Sequence, residues 1–202
     1  MTDGKKLLIL GASGYVGKHL FNKIGADRAI ATYCRTPLEN GVYFDIMSMD
    51  LSIVIDELKD VSHAIILLGD TKPDSCVRYF RKSQALNVDR IKSILEHLRR
   101  RKIKPIFTST EVVFDGTKGN YIETDETNPL LLYGRQKVEI ERYLQDSKED
   151  YLIIRLALTF GSQRNDGTLF INWLDSIEQG KPIFCAHDQI CSPIYIDDVI
   201  EA

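Results

Sequence analysis

Residues 6–17 read KLLILGASGYVG, and the order of residue types in this stretch decides the fold. The apolar run at 6–10 has the length of a buried strand and ends directly in a glycine-rich turn. After the turn, Val16, Leu20 and Ile24 recur at the spacing of one helix face. A strand that passes through such a turn into a helix is typical of the start of a βαβ unit.

The three glycines of the turn have the spacing GxxGxxG, which favours a phosphate-binding turn. Gly11 permits a tight turn, Gly14 lets the backbone approach a pyrophosphate, and Gly17 lets the helix pack closely on the strand. The amino end of the following helix supplies N–H groups and a positive dipole end for phosphate oxygens. The alternative interpretation is a plain strand–helix turn without a ligand.

Beyond this unit, short apolar runs alternate with longer amphipathic stretches. We predict strands at 6–10, 29–34, 42–46, 64–68, 105–108, 152–156 and 193–196. We predict helices at 15–24, 50–58, 76–101 and 131–144, and the start of another at 197–202. This alternation predicts an α/β fold, a Rossmann-type doubly wound parallel sheet whose ligand lies beyond the carboxyl ends of the strands.

Composition and charge exclude several classes of protein. The net charge of −3 and the lack of a basic stripe argue against nucleic-acid binding, and the basic run at 99–102 is interpreted as a solvated helix end. The four cysteines and four histidines form no CxxC pair and no metal-ligand motif, so no metal site is expected. The apolar run at 6–10 is too short for a membrane span, and we expect a cytoplasmic protein.

The second predicted strand indicates which dinucleotide is bound. NAD-binding domains usually carry an acidic residue at the end of this strand, whereas here the sequence reads YCRT at 33–36. Arg35 could hold a 2′-phosphate, which favours NADP(H); the alternative is an exposed arginine without a ligand. Asp45 could bond the adenine amino group or could be a turn residue.

A pair of polar residues at helical spacing predicts acid–base chemistry. Tyr133 and Lys137 are four residues apart and share a helix face, so the ammonium is expected to lower the pKa of the phenol. Such a pair suits proton transfer to or from a carbonyl oxygen. Ser109 and Thr110 end the apolar strand predicted at 105–108, where the ligand crevice of a parallel sheet lies, although strand-end capping would also explain them.

Three further stretches carry a resemblance to a known family. They are STEVVFDGTKGNY at 109–121, ETDETNP at 123–129 and YGRQK at 133–137, with Asn87-Val88 and DQICSP at 188–193 as weaker matches. The chain resembles the extended short-chain dehydrogenases/reductases, and within them the dTDP-4-dehydrorhamnose reductases. It departs from that pattern at Glu111, where aspartate is common, and at Cys191, where glycine is usual.

The resemblance implies a site and an organisation. Thr110, Tyr133 and Lys137 would be catalytic. The implied cofactor contacts are Gly11, Ser13, Gly14, Tyr15, Val16, Gly17, Arg35, Asp45, Ile46, Leu68, Gly69, Asn87 and Lys137. Ser109, Glu111, Arg155 and the loop 161–168 would approach the substrate.

Residues 1–160 would bind NADP(H), and 161–202 would begin a small C-terminal substrate lobe that is largely absent from this chain. A helix as short as 197–202 is marginal alone, so we expect the protein to continue or a partner to hold this segment.

The implied reaction is NADPH-dependent reduction of a nucleotide-linked 4-keto sugar. We expect no nucleic-acid partner and no membrane partner. A homodimer is compatible with the sequence. One alternative is a non-catalytic NADP-binding subunit, because the regulatory β subunits of methionine adenosyltransferase are similar in the same region. Another is a sugar-nucleotide epimerase or dehydratase; these usually retain NAD, and Arg35 argues against that cofactor.

Overall fold

The structure is a computed structural model that describes residues 4–55, 60–164, 166–188 and 190–202. The chain divides into two compact units, the first ending at Arg155 and the second comprising Leu156–Ala202. Within the described residues, no helix combines the length and the apolar character needed to cross a membrane.

The first unit is built on a six-stranded sheet. Its strands are β1 Lys6–Leu10, β2 Ala29–Tyr33, β3 Gly41–Tyr43, β4 Val61–Ile66, β5 Lys104–Thr110 and β6 Leu152–Leu156. They lie in the order β3-β2-β1-β4-β5-β6, and β1 pairs in parallel with both β2 and β4. This is the strand order of a dinucleotide-binding Rossmann fold, so the predicted fold class is confirmed.

Helices cover both faces of the sheet. They are α1 Tyr15–Ile24, α2 Ser52–Ile55, α3 Pro73–Arg78, α4 Phe80–Gln84, α5 Arg90–Arg100 and α6 Leu132–Asp146. A π-helical turn, Ala85–Asp89, joins α4 to α5, and a 3₁₀ turn, Glu111–Val113, follows β5. Leu8 and Leu10 face the core under α5 and α6, whereas Leu7 and Ile9 pack with Phe21 of α1. Burial on both faces explains the uninterrupted apolar run of β1.

Three predicted elements differ from the structure. The strand predicted at 42–46 ends at Tyr43, because the Asp45 carboxylate accepts hydrogen bonds from Met47 N at 2.9 Å and from the Ser48 hydroxyl at 2.8 Å and turns the chain. The strand predicted at 64–68 lies at Val61–Ile66. The single helix predicted at 76–101 is interrupted, since Tyr79 has non-helical φ and ψ angles of −117° and 50°.

Two further boundaries bear on the predictions. Helix α2 covers Ser52–Ile55, and the remainder of the helix predicted at 50–58 lies outside the described residues. The final predicted helix is found as α8, Ile196–Glu201.

The second unit is small. It contains a parallel pair, β7 Thr159–Phe160 and β8 Ile194–Tyr195, with helices α7 Leu169–Glu178 and α8. The ring of Phe160 contacts the rings of Phe170 and Tyr195 at centroid distances of 5.0 and 5.6 Å. These rings are half-buried, whereas Ile171 and Ile196 of the same unit are buried.

Candidate functional site

The glycine turn after β1 is held by β2. Gly11 N donates to the Thr32 hydroxyl at 3.0 Å, and Ala12 N donates to the Thr32 carbonyl oxygen at 2.8 Å. Gly11 has a φ of +93°, a conformation that side chains other than glycine rarely adopt. A Cβ at Gly17 would lie 2.5 Å from the Gly11 carbonyl oxygen, so helix α1 packs at the closest approach that glycine allows. The turn therefore requires glycine at both positions, and its binding of a phosphate stays a prediction.

Other predicted cofactor residues surround this turn. Ser13, Tyr15 and Val16 are half-buried at the start of α1, and Gly14 is exposed. A Cβ on Gly11 would meet Leu68 Cδ2 at 3.1 Å, which brings the end of β4 against the turn.

The ends of β2 and β3 bring a cation and a carboxylate together. Arg35 is exposed, and its charge contributes to holding the pKa of Asp45 below its usual value, after the hydrogen bonds from Met47 and Ser48. Both Asp45 oxygens already accept bonds within its own turn. The Ile46 side chain is buried in the core. Asp45 is thus a turn residue in this structure, and contact with an adenine amino group stays a prediction.

The acid–base pair lies on α6 and is buried against β5. Tyr133 and Lys137 are 8% and 4% exposed. Lys137 Nζ lies 5.7 Å from the centroid of the Tyr133 ring and 4.6 Å from that of Phe107, and it donates to the Thr108 carbonyl oxygen at 2.7 Å. A Cβ at Gly134 would collide with the Val112 carbonyl oxygen. Glycine at this position therefore lets α6 approach the end of β5.

The electrostatics of the pair differ from the prediction. Burial raises the pKa of Tyr133 well above its usual value, and the charge of Glu111 raises it further, with smaller contributions from Cys76 and Asp70. Burial also lowers the pKa of Lys137 to about 8, against the opposing charge of Glu141. The expected lowering of the phenol pKa by Lys137 is therefore wrong for this structure, because desolvation and nearby carboxylates dominate.

The end of β5 presents two hydroxyls with different surroundings. The Thr110 hydroxyl donates to Glu111 Oε2 at 3.1 Å and accepts a 3.4 Å bond from Val112 N. Ser109 is 4% exposed, and its Oγ has no hydrogen-bond partner among the described residues. Burial raises the pKa of Glu111, because the carboxylate loses solvation. An unpartnered buried hydroxyl is uncommon and suggests a place for a ligand atom.

The Asn87 side chain is hydrogen-bonded to the backbone of the turn after β4. Its Oδ1 accepts from Asp70 N at 2.7 Å, and its Nδ2 donates to the Asp70 carbonyl oxygen at 3.0 Å. Gly69 has a φ of +152°, and a Cβ there would lie 3.0 Å from Asn87 Oδ1. Both polar ends of Asn87 are therefore occupied, and a direct cofactor contact stays a prediction.

Arg155 is bound by protein groups. Its Nη2 and Nε donate to the two oxygens of Glu141 at 2.7 and 3.1 Å, and its Nη1 donates to the Glu123 carbonyl oxygen at 3.2 Å. The guanidinium carbon lies 5.0 Å from the centroid of the Phe114 ring. The predicted role of Arg155 toward substrate is untested, and the contacts present tie the loop after β5 to α6.

Two predicted substrate stretches belong to the second unit. In the loop 161–168, Arg164 pairs with Asp175 and Glu178, and Asn165 lies outside the described residues. In the stretch 188–193, Cys191 is exposed, and Gln189 lies outside the described residues.

A cavity of about 680 Å³ lies elsewhere, at the amino end of β5. Its rim charges include the pairs Arg99–Glu96 at 2.6 Å and Lys104–Asp150 at 2.6 Å. Ligands of parallel α/β sheets bind at the carboxyl ends of the strands, which is the opposite end. The glycine turn and the Tyr133 region, at the carboxyl ends of the strands, therefore form the candidate site.

The residues present fit a dinucleotide. The glycine turn offers backbone to a pyrophosphate, Arg35 offers a cation just after β2, and the Ser109 hydroxyl has no hydrogen-bond partner within the described part of the chain. Across the described part of the chain, no group of three or more His, Cys, Asp or Glu side chains could hold a metal ion.

Sequence reasoning missed Thr32 and Gln136. Thr32 is a hydroxyl within an apolar strand, and it anchors the glycine turn. Gln136 is 1% exposed and bonds to Asn87, Ser83 and Gln84. The spacing in the sequence could have indicated Gln136, since it lies three residues after Tyr133 and shares its helix face.

Comparison with known proteins establishes the family. Residues 5–202 match the family described as RmlD substrate binding domain. The chain belongs to this family. It is 28% identical to a dTDP-4-dehydrorhamnose reductase of Aggregatibacter actinomycetemcomitans, over 96% of this chain and 64% of that protein. It is 24% identical to methionine adenosyltransferase 2 subunit beta of Bos taurus, over 96% of this chain and 60% of that protein.

Structural comparison agrees with this assignment. A structure described as a hypothetical dTDP-4-dehydrorhamnose reductase from Sulfolobus tokodaii has a TM-score of 0.85 and 27% identity, covering 97% of this chain and 70% of that one. The reductase of Bacillus anthracis, solved in complex with NADP, shares the fold with a TM-score of 0.80 and 21% identity, covering 98% of this chain and 68% of that one. This chain spans less than two thirds of the length of the Aggregatibacter actinomycetemcomitans and Bos taurus relatives.

Proposed function

We propose that this chain binds NADP(H) and reduces a nucleotide-linked 4-keto sugar, as a relative of the dTDP-4-dehydrorhamnose reductases. The observation that carries the proposal is the burial of Tyr133 and Lys137 side by side against the end of β5. That arrangement provides an acid–base pair at the edge of the sheet where ligands of this fold bind.

The residues have separate roles in this proposal. NADPH, when bound, would supply the hydride for the C4 ketone. Tyr133 donates its phenol proton to the carbonyl oxygen as the alkoxide forms, and its raised pKa keeps the phenol protonated at neutral pH. Lys137 holds the nicotinamide ribose, and Thr110 orients the carbonyl group.

The proposed contacts to the phosphates of the cofactor lie in the glycine turn and just after β2. The residues of the turn, Gly11 to Gly17, face the pyrophosphate, and Arg35 contacts the 2′-phosphate. A reductase that uses NADPH needs such a cation, whereas an NAD-retaining epimerase would favour an acid at this position.

Organisation and environment are proposed with the function. Residues 1–160 form the cofactor domain, and 161–202 begin the substrate lobe. Ser109, Glu111 and Arg155 are proposed substrate contacts. The location is the cytoplasm, and a homodimer is the expected assembly if the chain associates.

The experiment follows NADPH absorbance at 340 nm with a panel of nucleotide-linked 4-keto sugars, for the wild type and for Tyr133→Phe. Steady oxidation by the wild type, with at least a 100-fold loss in the variant, supports the reductase. Equal rates in the two proteins would contradict the role of Tyr133.

A regulatory function is the second candidate, supported by the similarity to methionine adenosyltransferase β subunits. Tight NADP(H) binding without oxidation of NADPH by any sugar in the panel would favour it. An epimerase would instead convert a nucleotide sugar to its 4-epimer with no net oxidation of added NADPH.

A further inference from the structure

A buried side-chain amide in α6, here called the acid–base helix because it carries Tyr133 and Lys137, has no role in the chemistry proposed above. Gln136 lies between Tyr133 and Lys137 on α6 and is 1% exposed. Its Nε2 donates to the Ser83 hydroxyl at 3.1 Å, and its Oε1 accepts from Asn87 Nδ2 at 2.8 Å. A buried side-chain amide is costly unless it is hydrogen-bonded, and both ends of this one are.

The partner amide comes from an irregular part of the helix before α5. Asn87 is 2% exposed and lies in the π-helical turn Ala85–Asp89. A π-turn inserts a residue into a helix and so changes the direction of its side chains, and such turns are frequent at functional sites. The buried residues change character along this segment: Ser83 before the π-turn and Asn87 within it are polar, whereas Ile91 and Leu95 after it belong to the apolar core.

The same amide holds the backbone at the end of β4. Asn87 pairs with both the N–H and the carbonyl group of Asp70, at 2.7 and 3.0 Å. The preceding residue, Gly69, has a φ of +152°. The turn at 69–70 follows the strand whose carboxyl end faces the dinucleotide in the proposed function. It is thus connected to α6 through two hydrogen-bonded amides.

We propose that the Asn87–Gln136 amide pair links the cofactor-side turn at 69–70 to the acid–base helix, so that cofactor binding and the placement of Tyr133 depend on each other. Gln136 is a positioning residue, since it acts through Asn87 and through its own helix. Buried hydrogen-bond networks of this kind fix one arrangement when every member is satisfied. The inference rests on the proposed binding of NADP(H).

The test removes the link and measures the turn directly. Gln136→Met keeps an unbranched side chain of similar size but removes the hydrogen bonds to Asn87, Ser83 and Gln84. We expect amide hydrogen exchange at Asp70, followed by NMR in the protein without cofactor, to become at least 10-fold faster. We expect the Kd for NADPH, measured by its fluorescence, to rise about 10-fold. Gln136→Glu retains the acceptor for Asn87 and is expected to restore the protection of Asp70 to within 3-fold of the wild type.

Two matched variants separate linkage from general loss of packing. Ser83→Ala removes a buried hydrogen bond of Gln136 but leaves the bond to Asn87, so exchange at Asp70 and the Kd for NADPH are expected to stay within 2-fold. Gln145→Met changes an exposed glutamine of the same helix and should alter neither quantity.

The proposal is overturned if Gln136→Met lowers the melting temperature while both quantities stay within 2-fold of the wild type, or if Ser83→Ala changes them equally. These measurements need no turnover. A wild type that binds NADPH but reduces no sugar contradicts the reductase function alone. A wild type that does not bind NADPH contradicts both proposals.

Discussion

Lys137 Nζ donates a 2.7 Å hydrogen bond to the carbonyl oxygen of Thr108, and this contact holds a lysine that is only 4% exposed. Loss of water lowers the pKa of Lys137 to about 8, against the charge of Glu141, which favours the ammonium. A group whose pKa differs between folded and unfolded chains makes stability depend on pH.

The first prediction concerns that dependence. Between pH 8 and 10 the unfolded chain binds more protons at this lysine than the folded chain, so the free energy of unfolding rises with pH. At about 1.4 kcal/mol per pKa unit, the contribution of Lys137 over this range is of order 2 kcal/mol. Urea unfolding of the wild type and of Lys137→Met at each pH isolates it. Parallel pH curves for the two proteins would refute the assignment.

The second prediction concerns the second and third glycines of the glycine turn, Gly14 and Gly17. A Cβ at Gly17 would meet backbone atoms at 2.5 and 2.7 Å, whereas one at Gly14 would meet a single oxygen at 3.3 Å. We expect Gly17→Ala to lower the free energy of unfolding by about 2–3 kcal/mol, the upper part of the typical range of about 1–3 kcal/mol for overpacking. Gly14→Ala should cost less than about 1 kcal/mol and yet weaken NADPH binding. Chemical denaturation and a binding titration distinguish them, and equal stability losses would contradict the packing argument.

The third prediction concerns cofactor choice. Arg35 is exposed at the end of β2, near enough to lower the pKa of Asp45. Arg35→Ala should raise the Kd for NADPH by roughly 10- to 100-fold, the equivalent of one charged hydrogen bond. The Kd for NADH should change less than 3-fold, because NADH lacks the 2′-phosphate. A matched loss for both cofactors would mean that Arg35 does not read the phosphate.

The fourth prediction concerns Arg155, whose partner Glu141 is 2% exposed. Arg155→Met leaves that carboxylate buried without its cation, which should cost about 3 kcal/mol of stability. The double variant Arg155→Met/Glu141→Leu should recover most of the loss, since an apolar pair carries no unpaired charge. Thermal unfolding of the three proteins measures both effects. If Arg155 serves substrate rather than structure, the single variant will keep its melting temperature and raise the KM for the sugar.

The fold was predictable because its signals are local. An apolar run, three glycines and a helical repeat occupy consecutive residues at 6–24, and they specify the same unit in any surroundings. The pair Tyr133 and Lys137 was predictable for the same reason, since spacing along one helix determines that they share a face. The π-helical turn was not, because Asn87 and Gln136 are 49 residues apart and their bond depends on how two helices pack.

The sequence by itself determined the class of fold, the glycine turn between β1 and α1 and the placement of Tyr133 and Lys137 on one face of α6, because each depends on the order of neighbouring residues. Only the tertiary structure decided the charge environment of that pair, the occupation of Arg155 by Glu141 and the link from Asn87 to Gln136. These properties arise from burial and from contacts between distant segments. Burial changes the free energy of a charge or a polar group by amounts that no local pattern encodes.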